Sequence, residues 1–112
     1  MSAARYNLVI DQGSDFAVNF TVNDDGSAKN LTGYSARAQM RTTKSATSVA
    51  ATFVCTIPTP ANGTITVALP NATSTSMAAG NYVYDLEIFT TSNAIVTRLL
   101  QGSVTLTQEV TR

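Results

Sequence analysis

The sequence predicts an all-β protein, an antiparallel two-layer β-sandwich of about seven to eight strands. Three observations lead there. First, apolar and polar residues alternate in several short stretches, most clearly Phe16, Val18, Phe20 and Val22 against Ala17, Asn19 and Thr21. Second, clusters of Gly, Pro, Asn and Asp separate these stretches at roughly regular spacing. Third, no long stretch carries the helical period.

Composition supports the same class. The 112 residues predict one domain, 1–112, with terminal arms at 1–5 and 108–112. A chain of this length buries roughly two thirds of its unfolded surface, enough for a two-layer core. Charged residues make up 12% of the chain, against an average of about 25%. Thr, Ser, Asn and Gln must therefore cover the surface, and threonine suits a pleated, half-wet face. The net charge of +0 argues against a nucleic-acid binder, which needs a basic balance or stripe. It also weakens the repulsion that keeps copies apart. No apolar run is as long as a signal peptide or a membrane span. The expectation is a protein made in a cytoplasm, soluble until it assembles, with no membrane partner.

The elements follow in order. Residues 6–10 form a short apolar run and a first strand, turned by Asp11-Gln12-Gly13-Ser14. Residues 16–22 alternate and turn their two phenylalanines to the core. Asn23-Asp24-Asp25-Gly26-Ser27 is turn chemistry, since Asp and Asn bond their own backbone and glycine accepts positive φ. Residues 34–41 put Tyr34, Ala36, Ala38 and Met40 on one face and Ser35, Arg37, Gln39 and Arg41 on the other. Residues 42–49 are small and polar and read as a loop. Residues 50–57 form a strand with Ala51, Phe53, Cys55 and Ile57 on one face. Asn62-Gly63 signals a hairpin into residues 64–69, where Ile65, Val67 and Leu69 face inward. Residues 73–79 suit one helical turn, opened by a Ser or Thr cap and closed by Gly80, with Met77 plugging the core. Residues 80–89 are the central strand, with Tyr82, Tyr84, Leu86 and Ile88 inward and Val83, Asp85, Glu87 and Phe89 outward. Residues 91–94 turn the chain, residues 95–102 return, and residues 104–110 form a last stretch after Gly102.

Residue chemistry excludes most site classes. There is no histidine and one cysteine, so no zinc set, intrachain disulfide or Cys–His nucleophile is available. Cys55 reads as a small core residue. No phosphate loop occurs, and Asp24-Asp25-Gly26 lacks the ligand spacing of a calcium loop. No cofactor, metal or catalytic residue is expected. Asp85 and Glu87 have the separation that a glycosidase pair needs. A row of outer-face ion pairs with Arg37, Arg41 and Arg98 is the better account. Asn19, Asn30, Asn62 and Asn71 open Asn-x-Thr sequons, which chance explains in so Asn- and Thr-rich a chain. Tyr6, Tyr34 and Phe89 are the candidates for a sugar-stacking platform.

Two resemblances add to this reading. Gly80-Asn81-Tyr82-Val83-Tyr84 resembles the tyrosine corner of immunoglobulin-like domains. The resemblance implies that Tyr82 is the corner tyrosine, its hydroxyl bonded back to the corner backbone, and that Tyr84 is the core residue. The disulfide and buried tryptophan of antibody-type domains are absent from the sequence. More broadly, Asp11-Gln12-Gly13-Ser14-Asp15-Phe16, residues 30–41, 63–69 and 79–87, Arg98-Leu99-Leu100-Gln101-Gly102-Ser103-Val104 and Glu109-Val110-Thr111-Arg112 carry a second likeness. In these stretches the chain resembles small tailed-phage virion proteins, including those of cyanophages, and is more distantly similar to the immunoglobulin-like N-terminal domain of siphophage upper baseplate proteins.

That resemblance implies a non-enzymatic virion subunit, of tail or baseplate, docking on other virion proteins and on itself. The alternatives are a head decoration protein and a receptor- or glycan-binding adhesion module. Unpaired edge strands are the expected docking elements. The first strand, 6–10, and the last, 104–110, are the expected edges.

Overall fold

The computed structural model describes residues 4–24, 26–90 and 94–110. Its strands are β1 (Ala4–Arg5), β2 (Leu8–Asp11), β3 (Phe16–Thr21), β4 (Asn23–Asp24), β5 (Ser27–Ala28), β6 (Ser35–Arg41), β7 (Ala51–Thr52), β8 (Val54–Thr56), β9 (Thr64–Leu69), β10 (Gly80–Phe89) and β11 (Val96–Thr107). One short helix, α1 (Asn71–Thr75), joins β9 to β10. The larger sheet runs β1-β11-β10-β6-β7, with β2 also on β11. The smaller sheet runs β3-β9-β8, and β4 and β5 form a separate hairpin. The two sheets face each other as the all-β sandwich that the sequence predicts.

Strand β10 lies at the centre because its two faces are chemically distinct. Tyr82, Tyr84, Leu86 and Ile88 are buried, while Val83, Asp85, Glu87 and Phe89 are half-buried on the outer face. It pairs antiparallel with β6 on one side and β11 on the other. The inner residues meet Leu8, Ile10, Ala38, Met40, Ile65, Val67, Leu69, Val104 and Leu106 in one core. Each Val, Leu, Ile or Met among them contributes roughly 1.5–3 kcal/mol on full burial. Leu31 and Phe53, both buried, and Met77, half-buried, also pack there.

The corner forms as the resemblance implies. The Tyr82 hydroxyl donates to Ala78 O. Tyr84 does more than fill the core, because its hydroxyl donates to Tyr6 O at 2.6 Å and ties down the N-terminal chain. Gly102 completes that contact. It pairs with Tyr84 across the sheet, and a Cβ at Gly102 would sit 2.2 Å from Tyr6 O. Only glycine lets the N-terminal backbone cross so closely.

Several expectations change. The first strand is split at Tyr6 and Asn7 into β1 and β2, and both pair parallel, not antiparallel, with β11. Residues 4–5, expected in an arm, are therefore in the sheet. The last strand is no edge: β11 is one twelve-residue strand through Gly102, with β10 on one flank and β1 and β2 on the other. Stretch 50–57 divides at Phe53, so β7 joins the larger sheet and β8 the smaller. Its hairpin to β9 turns through a 3-10 segment at Pro60–Asn62, with Gly63 at φ 68°. Helix α1 begins earlier than expected, after Pro70 and without a Ser or Thr side-chain cap. The Asp15 carboxylate takes the Asn71 N–H instead, at 2.9 Å. The turn expected at 91–94 lies largely outside the described residues.

Candidate functional site

The outer face of the larger sheet gathers the five charged residues expected to form its ion pairs. Arg37, Arg41, Asp85, Glu87 and Arg98 line one concavity of about 460 Å³, together with Gln39, Lys44 and Gln101. The register explains the grouping. Glu87 stands opposite Arg37 on β6 and Arg98 on β11, and Asp85 stands opposite Gln39 and Gln101. A register shift beside Glu87 leaves Leu99 outside the pairing and brings Arg98 into line.

The carboxylates here are already engaged. Arg37 Nε donates to Glu87 Oε1, and the Arg37 guanidinium lies 4.3 Å above the Phe89 ring. Arg98 Nε lies 3.3 Å from Asp85 Oδ2. These pairs are partly exposed, a setting in which an ion pair contributes about 0–1 kcal/mol. Arg41 departs from expectation and pairs with no acid among the described residues. Its guanidinium donates to Ala46 O at 3.1 Å and to Gln39 Oε1 at 3.3 Å, holding the 42–50 loop. The loop placement of Lys44 gave no strand-face signal, so the sequence reading missed it.

Neither acid sits in an apolar enclosure of the kind that makes a carboxyl a general acid. Asp85 and Glu87 keep 40% and 23% side-chain exposure beside arginines. Cys55 is half-buried, and burial pushes its thiol up to about 11, which keeps it protonated and unreactive at neutral pH. Among the described residues no group of three or more His, Cys, Asp or Glu is placed to hold a metal. No helix there is long and apolar enough to cross a membrane. The sugar-platform aromatics have their rings occupied: Phe89 under Arg37, Tyr34 under Lys29 at 5.4 Å, and Tyr6 edge-on to Phe20 at 5.3 Å.

The sheet edges offer a different surface. The larger sheet begins with β1 and β2, which carry Arg5 and Asp11 and are broken at Tyr6 and Asn7. Its other edge, β7, is two residues long. In the smaller sheet the β8 edge is three residues long. Strand β3 is the exception: six residues, Phe-Ala-Val-Asn-Phe-Thr, with no charge and no proline. Among the described residues only β9 pairs with it. Phe16, Val18 and Phe20 face the core yet remain half-buried, and among the described residues no strand pairs along their outer flank.

No protein-family model matches the chain, and no curated protein matches it. Among solved structures, a family 123 glycoside hydrolase from Clostridium perfringens aligns over 100% of this chain, with a TM-score of 0.45 and 10% identity. The chain spans 24% of that protein's length. A likeness so distant bears on no activity.

Proposed function

We propose that this chain is a non-enzymatic structural subunit that assembles by protein–protein contacts, in the virion of a tailed phage and at its tail or baseplate. The observation that carries assembly is the β3 edge. Natural sheets blunt long edges with charges, proline, bulges or shortness, because an open row of N–H and C=O groups recruits other chains. Every other edge described here is short, charged or broken, and β3 is none of these. A protein that guards its other edges and leaves one open uses that edge. The paired carboxylates and the protonated thiol support a role without catalysis. The position in a virion rests on the sequence resemblance.

The test is to blunt the edge. Ala17 and Asn19 are exposed on β3, so Ala17→Lys with Asn19→Lys places charges there at little cost to folding. Light scattering over a concentration series is expected to show association in the wild-type chain and a monomer in the variant. Gold-labelled antibody on purified virions then reads the position. Label at the tail or baseplate supports the proposal, label on the head supports decoration, and unlabelled virions contradict both.

A further inference from the structure

We propose that β3 pairs with β3 of a second copy, antiparallel about a two-fold axis at Val18, joining two smaller sheets into one continuous sheet. This inference rests on the assembly reading and names its partner.

Backbone alternation sets the geometry. Val22, the residue after β3, donates its N–H to Gly63 O at 2.8 Å, on the β9 side. Strand groups alternate, so Phe16, Val18 and Phe20 also turn N–H and C=O toward β9. Ala17, Asn19 and Thr21 then turn theirs to the open side. A second strand hydrogen-bonds only where its own outward groups meet these. For two antiparallel copies of one strand, that requires odd-numbered residues to face odd-numbered residues. Centring the pair on Val18 satisfies this within β3, with Ala17 opposite Asn19 of the second copy and Val18 opposite itself.

The side chains agree with the backbone. Odd faces odd and even faces even, so the outer face meets the outer face and the core face meets the core face. Phe16 falls opposite Phe20 of the second copy, and aromatic cross-strand pairs are favourable. These half-buried rings gain the flank they lack. The outer pair, Ala17 with Asn19, is small and neutral, and β3 brings no like charges together. Isologous two-fold contacts of this kind are the commonest between identical chains.

Pairing along a single six-residue strand buries a small interface, so trapping reads it better than dilution does. In a Cys55→Ala background, Ala17→Cys and Asn19→Cys variants are mixed and oxidised. Opposed residues lie about 5.5 Å apart at Cα, within disulfide reach, whereas the diagonal pairs formed by either variant alone lie at roughly 7–8 Å. The mixture is expected to give a disulfide dimer at least about 5-fold above either variant alone. Val18→Cys, on the axis, is expected to form a homodimeric disulfide by itself. Equal trapping in all samples, or none in the mixture and none with Val18→Cys, overturns the proposal. If trapping fails while the lysine variant still loses association, the edge docks elsewhere and the assembly reading stands. If the lysine variant also associates as the wild type does, both fall.

Discussion

The two long edges of this sandwich are built in opposite ways. The N-terminal edge of the larger sheet is sealed. Tyr84 bonds to Tyr6 O, Tyr6 N–H bonds to Gln101 O at 3.0 Å, and the Asn7 side chain accepts from the Ser103 N–H. The chain there is kinked, charged and locked over Gly102. Among the described residues the β3 edge of the smaller sheet shows no such device, only small exposed residues alternating with half-buried apolar ones. One edge carries several closing contacts and, among the described residues, the other carries none, so the two edges of one molecule differ in chemistry. Stability and association should therefore respond to different residues.

The largest effect is expected at the sealed edge. Tyr84→Ala removes a buried aromatic and the bond to Tyr6 together, and should cost about 3–5 kcal/mol in chemical denaturation. A loss under about 1 kcal/mol would show that the seal is incidental. Gly102→Ala comes next. Its methyl group meets backbone rather than a flexible side chain, so about 1–3 kcal/mol should be lost as the N-terminal chain is displaced. In both variants the β3 edge should keep its behaviour wherever the chain still folds.

Alkaline pH probes the same seal more gently. Burial, with Tyr6 alongside, pushes the Tyr84 phenol up from 10.0 to about 12. A folded-state value raised above the unfolded one gives stability that is full below pH 10.0 and is lost as pH rises toward about 12. Cys55 acts in the same direction from pH 9.0 to about 11. Equilibrium unfolding of Cys55→Ala should therefore weaken above pH 10.0, and adding Tyr84→Phe should flatten that limb. An unchanged slope would mean that Tyr84 is not the group responsible. The smallest effect belongs to the outer face. Asp85→Asn weakens one exposed ion pair and should cost no more than about 1 kcal/mol, with the fold intact by circular dichroism.

The sequence made one kind of fact legible and hid another. Alternation assigned both faces of β10 correctly, from Tyr82 through Phe89, and put Arg98 within reach of Asp85 or Glu87, of which the structure selects Asp85. Gly102, read as a break between two stretches, instead lies inside β11, where it admits the N-terminal backbone. Alternation carries no information about which strand lies beside which. The parallel pairing of Leu8 with Val104 joins positions far apart in the chain. Residues 104–110 therefore looked like an edge, whereas 104–107 lie inside the sheet, and β3 looked like an ordinary core strand yet has β9 as its one neighbour among the described residues. The sheet change at Phe53 was hidden for the same reason, since Ala51, Phe53, Cys55 and Ile57 keep one face throughout. Lys44 reaches the outer concavity from a loop, where no periodicity points to it.

Amide hydrogen exchange at β3, measured residue by residue against protein concentration, tests the central claim most directly. In dilute solution the N–H groups of Ala17, Asn19 and Thr21 should exchange fast, while those of Val18 and Phe20, bonded to β9, stay protected. Raising the concentration should slow the first set and leave the second unchanged. Slow exchange at Ala17, Asn19 and Thr21 in dilute monomer, or fast exchange at every concentration, would contradict an open edge that works by pairing.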